Sequence, residues 1–303
     1  MMKKMLITSF IPGAGLALPS FYALVTYSSY NKHELESVFD PRNPETINEY
    51  ILTNIRHQGV KGICWAYSAL GVAETNILKK GLHKIASSLD LSEKNLAYKT
   101  LNRSRYEDAL HNTDFDNYKN PKWDTVGSIS FYAATSLLQW NKLKEENGQT
   151  SNYILKDLIE ISADVYDKNI MRDHIKKAVK EFRAVSVSFY VFRDGKIGTH
   201  WNPELYKYNK SGHSATIVGW DNTIPASEFG AGTKQNGGWI VKNNWGASHG
   251  KDEYFYLSYN SDIWDLYTMD FTNRSDYNNN YYYDGSYKDI DAGAIYSKTA
   301  VSF

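Results

Sequence analysis

Cys64 is the only cysteine among 303 residues, so no disulfide within the chain and no cysteine cage for zinc or iron–sulfur can form. What remains for this sulfur is either the life of a small buried apolar side chain or that of a reactive thiol. Its position favours chemistry. It opens a helical pattern in which Trp65, Ala66, Ala69, Leu70, Ala73, Ile77 and Leu78 recur at three- and four-residue spacing, and Gly81 stands where that helix should stop. A helix N-terminus presents unpaired N–H groups and a partial positive charge, and both favour the thiolate, the reactive form.

Three further residues supply what a thiolate needs for acyl transfer. Gln58 lies six residues upstream, across the glycine-bearing stretch Gly59-Val60-Lys61-Gly62. Its side-chain N–H and the backbone N–H of Cys64 can converge on one point, as in an oxyanion hole; otherwise it is an ordinary turn residue. His213 opens the apolar run Ser214-Ala215-Thr216-Ile217-Val218-Gly219-Trp220 and serves either as a base or as a hydrogen-bonded structural histidine. Asn243, at the end of Trp239-Ile240-Val241-Lys242, carries an amide that can accept from one imidazole nitrogen and aim the other at a thiol. Trp245 is placed to cover that bond while packing in the core.

Those segments, in that order, resemble the papain-like cysteine peptidases. Gln58 through Ser68 is similar to their nucleophile segment, Gly212-His213-Ser214-Ala215 to their histidine strand, and Lys242-Asn243-Asn244-Trp245-Gly246 to their Asn-Ser-Trp-Gly segment, with Asn244 in place of the serine. Softer matches at Phe39-Asp40-Pro41-Arg42, Leu91 to Leu96 and Gly250 with Tyr254 to Leu257 extend the resemblance over residues 39 to 260. It is nearest to bacterial surface members joined to a lectin-like domain.

The resemblance implies Cys64 as nucleophile, its thiolate paired with the His213 imidazolium, His213 as general base and acid, Asn243 as its orienting partner and Gln58 as an oxyanion donor. Gly62, Ile63, Gly127, Gly212 and Trp245 are expected to line the substrate groove. Ile63, where relatives carry a small residue, is expected to crowd that groove. The implied fold is α+β with two lobes, one helical and one β-barrel-like, and the cleft between them. The implied activity is cysteine-type endopeptidase action on protein or peptide substrates, by a monomer, without a cofactor. Two other readings share the residues: a surface or binding protein that keeps a peptidase shape without full activity, and a Cys–His cell-wall amidohydrolase.

The elements around these residues fit that expectation. Helices are predicted at 92–101, 128–146 and 168–182, and strands at Val185–Val191, Ser214–Trp220, Trp239–Lys242 and Tyr254–Tyr259. A helical first half followed by a β second half argues for α+β and against alternating βαβ units. Three segments are expected: a leader over 1–38, a peptidase domain over 39–272 and a Tyr/Asn-rich tail over 273–303 that resembles the start of a further β domain. The leader sets Lys3 and Lys4 before an apolar run from Leu6 to Val25, as in a secretory signal with a short pro-segment, so an extracellular or cell-surface location is expected. Pro12, Gly13, Gly15 and Pro19 make the same run a poor membrane-spanning helix. Lys+Arg and Asp+Glu are both 34, which gives no global field for gripping nucleic acid. No His-Glu-x-x-His pattern or glycine-rich phosphate cradle is present, so no metal or nucleotide is expected.

Overall fold

The cysteine-led helix is the axis on which the rest is built. The structure, a computed structural model, describes residues 35–43, 52–103, 118–138, 140, 143–161, 167–192, 199–205, 210–246 and 254–277. Helix α1 spans Cys64–Lys79 and is buried from Trp65 to Leu78, so apolar neighbours surround it. Its internal polar groups all find partners: Ser68 donates to the Ala215 carbonyl, Thr75 to the Gly71 carbonyl at 2.7 Å, and Asn76 accepts from the Phe271 N–H at 2.8 Å. Gly81, at φ +66°, ends it as the sequence predicts, and Leu82 N–H returns to the Ile77 carbonyl at 3.1 Å.

Three more helices follow: α2 (Glu93–Leu101), α3 (Ser130–Leu138) and α4 (Lys168–Phe182). Ser92 caps α2 by accepting from Asn95 N–H, and Asp167 caps α4 by accepting from Asn169 N–H. The helix expected over 128–146 is shorter than that. It ends at Leu138, Trp140 turns into the left-handed region at φ +54°, and the chain then forms bridges Leu91↔Glu145 and Lys144↔Thr150.

The strands are β1 (Val38–Phe39), β2 (Asn102–Arg103), β3 (Tyr118–Lys119), β4 (Tyr153–Glu160), β5 (Val185–Phe192), β6 (His200–Trp201), β7 (Lys210–Asp221), β8 (Gly238–Lys242), β9 (Tyr254–Ser258) and β10 (Ile263–Asn273). Eight of them form one sheet in the order β4-β10-β5-β7-β8-β9-β6, with β1 on the end of β7; β2 and β3 pair separately. Side chains alternate across the sheet, so each face builds its own core. Val218, Ile240, Tyr267, Met269 and Phe271 join α1, α2 and α3 on one face. Val187, Ile217, Trp239 and Val241 join α4 on the other. The α+β class is therefore the one expected.

Strands β4 and β10 are additions to the sequence reading. In β4 the apolar pairs Ile154-Leu155 and Leu158-Ile159 repeat every four residues, a helical spacing that only pairing with β10 overrides. Strand β1 straddles the expected boundary at 38/39, with Val38 opposite Asp221 and Phe39 opposite Trp220, so packing begins upstream of that boundary. The leader up to residue 34 and the tail beyond 277 lie outside the described residues.

Helix α1 meets β7 without a spacer. A Cβ on Gly71 would come within 2.5 Å of the Thr216 hydroxyl oxygen, and Thr216 itself donates to the Ser68 carbonyl at 3.3 Å. Gly71→Ala is expected to push the helix off the strand and cost about 1–3 kcal/mol, the usual range for overpacking. Urea unfolding checks this; a midpoint unchanged from wild type would show that the contact has slack.

Candidate active site

Cys64 is the first residue of α1, and Ile63 before it offers no side-chain oxygen to the helix N–H groups. Burial raises the Cys64 thiol pKa, and hydrogen bonding by Ser214 and Trp65 opposes the rise. Cys64 as a residue is half-buried.

His213, on β7, is held on three sides. His213 Nε2 lies 3.0 Å from Asn243 Oδ1, which makes Nε2 the protonated, donating nitrogen and leaves Nδ1 for another partner. Trp245 lies over the imidazole at a ring distance of 4.4 Å, and Phe189, opposite His213 in the β5–β7 ladder, meets it edge-on at 5.6 Å. This apolar enclosure pushes the imidazolium pKa down to about 4, with the Asn243 bond opposing. The ring is thus neutral at rest, in the form that can accept a proton.

The loop before the cysteine is stitched to the segment after β8. Gln58 N–H donates to the Asn244 carbonyl at 2.9 Å, Gly246 N–H to the Arg56 carbonyl at 3.2 Å, and His57 bridges Trp245. Asn244 then donates from Nδ2 to the Ser214 carbonyl at 3.0 Å and to the Cys64 carbonyl at 3.4 Å. Gln58, Cys64, His213 and Asn243 are tied into one neighbourhood by these bonds, although they span nearly the whole described chain. Gln58 Nε2 donates to the Lys61 carbonyl at 2.8 Å; an amide nitrogen has two protons, so one remains.

The expected groove residues divide. Ile63 is fully buried in the helical core, so its side chain does not crowd a groove: the residue before the helix points inward, and that expectation is corrected. Gly62 is needed for a different reason, because the Thr125 carbonyl would lie 2.5 Å from a Cβ there. Gly127 is exposed with open space above it, in the loop that Trp65 Nε1 holds through the Val126 carbonyl at 3.2 Å. Gly212 is exposed next to His213, with Trp264 3.9 Å from where a Cβ would be. Trp245 packs on His213 as described.

A buried charged cluster behind the site escaped the sequence reading. Arg56, Glu74, Glu93, Lys242 and Asn243 line one small cavity. Arg56 pairs with Glu74 at 3.4 Å and with Asp90 at 3.0 Å, and Lys242 donates to Thr53 at 2.7 Å. The signal was present but thin: Glu74 falls on the buried face of a helix dominated by its apolar spacing. Burial, followed by the charge of Glu74, raises the Glu93 carboxyl to about 8. Between pH 4.5 and 8 the unfolded chain has released this proton and the folded chain has not, so raising the pH favours unfolding. Glu93→Gln is expected to flatten the fall in unfolding free energy over that window, a contribution on the order of 1–3 kcal/mol. Urea titrations at pH 5 and pH 8 check it, and parallel slopes for the two proteins would refute it.

Among the described residues no group of three or more His, Cys, Asp or Glu is placed to hold a metal, and no helix is long and apolar enough to cross a membrane.

Comparison with known proteins gives the family and the fold. The family model described as papain family cysteine protease matches residues 35–274. Cathepsin S of Bos taurus is 26% identical over 78% of this chain and 64% of its own length, and cysteine proteinase 2 of Dictyostelium discoideum is 26% identical over 77% and 68%. Among solved structures, the cysteine protease and lectin-like domains of Cwp84, a surface layer associated protein of Clostridium difficile, superpose with a TM-score of 0.58 at 19% identity. That match covers 79% of this chain and 52% of the other. Procathepsin L2 from the larval midgut of Tenebrio molitor gives 0.52 at 19%, covering 78% and 68%. The chain thus spans under two thirds of the cathepsin S relative and about half of the Cwp84 structure.

Proposed function

The chain belongs to the papain family of cysteine proteases, and from that premise we propose that it hydrolyses peptide bonds with Cys64 as the nucleophile. His213 takes the thiol proton through Nδ1, the ring atom left over by the Asn243 bond. The thiolate adds to the substrate carbonyl carbon. The negative oxygen that develops is met by the Cys64 backbone N–H, at the uncapped start of α1, and by the second proton on Gln58 Nε2. His213 then gives its proton to the leaving amine and afterwards draws one from the water that frees the acyl group. Asn243 keeps the imidazole in the required tautomer, and Trp245 shields that bond from water. Gly127 and Gly212, both open to solvent, are the groove walls we favour.

The observation that carries this reading is the 3.0 Å bond from His213 to Asn243, with the Cys64 backbone tied through the Asn244 amide to Ser214, the next residue of the same strand. We take the substrates to be proteins or peptides cut internally, the working form to be a monomer and the location to be extracellular or on the cell surface. The surface-layer association of Cwp84 supports that location by analogy alone. A peptide-library digest with and without a thiol-alkylating reagent tests the activity. Internal cleavage that the reagent stops is the expected result. Cleavage indifferent to alkylation, or hydrolysis of a muropeptide and of no peptide, would overturn it.

A further inference from the structure

Between Gln58 and the start of α1 the chain is tethered by one side chain. Gly59 turns at φ +64° with nothing within 4 Å of where a Cβ would be, Val60 is fully exposed, and Gly62 has no side chain to offer. Lys61 alone of these four reaches the body of the protein through its side chain. Its Nζ donates to Asp124 Oδ2 at 2.6 Å, across 63 positions of sequence, and lies 5.6 Å from the centre of the Trp123 ring. The Asp124 carbonyl takes the next residue too, accepting from Gly62 N–H at 2.9 Å. Hydrogen bonding from the Lys61 ammonium holds the Asp124 carboxyl below the usual carboxylate range. The receiving turn is stiff in its own right: Trp123 N–H donates to the Asn120 carbonyl at 3.2 Å, and Thr125 and Val126 N–H donate to the Lys122 carbonyl at 2.9 and 3.1 Å. Trp65 Nε1, one residue past the nucleophile, closes the join, 3.1 Å from the Gly62 carbonyl and 3.2 Å from that of Val126.

The consequence falls on Gln58. Its Nε2 donates to the Lys61 carbonyl at 2.8 Å, and Lys61 N–H returns to the Gln58 carbonyl at 3.4 Å. The Nε2 proton free to meet an oxyanion is the one that Lys61 does not hold, so the place of the Lys61 carbonyl sets where that proton points. We infer that Lys61 and Asp124 are positioning residues whose ion pair fixes the Lys61 backbone and, through it, the orientation of the Gln58 amide. This rests on the reading of Gln58 as an oxyanion donor. An ion pair about a third exposed adds little to stability. Its value lies in geometry, because an oxyanion donor acts by being oriented before the charge develops. With two glycines and an exposed valine as its neighbours, Lys61 leaves the loop no other side chain to keep that orientation.

Steady-state peptide cleavage by the full chain tests this. Lys61→Met keeps an unbranched side chain and removes the charge. It should lower kcat roughly tenfold, a fraction of the 10²–10³ lost with a whole oxyanion donor, while KM and the urea midpoint stay close to wild type. Asp124→Asn should do the same. Lys61→Glu combined with Asp124→Lys rebuilds an ion pair of reversed sense and should recover most of the rate. In a Gln58→Ala background, Lys61→Met should cost nothing further, because the amide through which it acts is gone. Wild-type kcat in Lys61→Met overturns the inference, as does the same fold-loss in both backgrounds or a reversed pair no faster than Lys61→Met. Wild-type turnover by Gln58→Ala overturns the reading of Gln58 as well. A slow Gln58→Ala beside an unaffected Lys61→Met overturns this inference alone, which separates the two failures.

Discussion

Replacing Cys64 with alanine is expected to leave a folded chain whose peptide turnover is lower by a factor on the order of 10⁶, the scale seen when a catalytic nucleophile is removed. The fold should survive because alanine is the best helix former and α1 is anchored by its length of buried contacts, not by the sulfur. The rate should not survive because no second thiol exists to take over. Circular dichroism and a cleavage assay on one preparation separate the two effects. Native dichroism with wild-type turnover would remove Cys64 from the reaction.

His213→Ala should be nearly as damaging, with a fall of roughly 10⁴–10⁶ in kcat, because members of a nucleophile–base pair act as a unit. It should also cost stability, since the ring fills a pocket between Phe189 and Trp245. Activity is therefore compared at a denaturant-free temperature where the variant is shown to be folded. The wild-type enzyme carries a further mark of this residue. With the imidazolium pushed down to about 4, the ring stays neutral well below the usual histidine range, so the acid limb of kcat/KM should lie near pH 4 and not near 6.5. The same group affects folding in the opposite sense to Glu93. Between pH 6.5 and 4 the unfolded chain takes up this proton first, so falling pH favours unfolding. Full activity of folded His213→Ala would exclude the imidazole as base.

Local signals made much of the site legible. A lone cysteine at the start of an apolar helical stripe, a histidine opening an alternating apolar strand and an asparagine at a strand end are each written in short windows. The bond between His213 and Asn243 follows from joining them. What the sequence did not disclose depends on pairing between distant segments. Strand β4 carries helical spacing and becomes a strand only beside β10. Ile63 reads as a groove residue by its nearness to Cys64, whereas the turn into α1 rotates it into the core. Glu74 and Glu93 sit on different helices and meet only after packing.

The central claim is that the Cys64 sulfur forms a covalent bond to substrate. Acid-quenched mass spectrometry during turnover of a slowly deacylating peptide ester tests it most directly. An acyl mass on the tryptic fragment from Gly62 to Lys79, absent in Cys64→Ala, is the predicted result. Sustained hydrolysis with that fragment unmodified throughout would contradict the account.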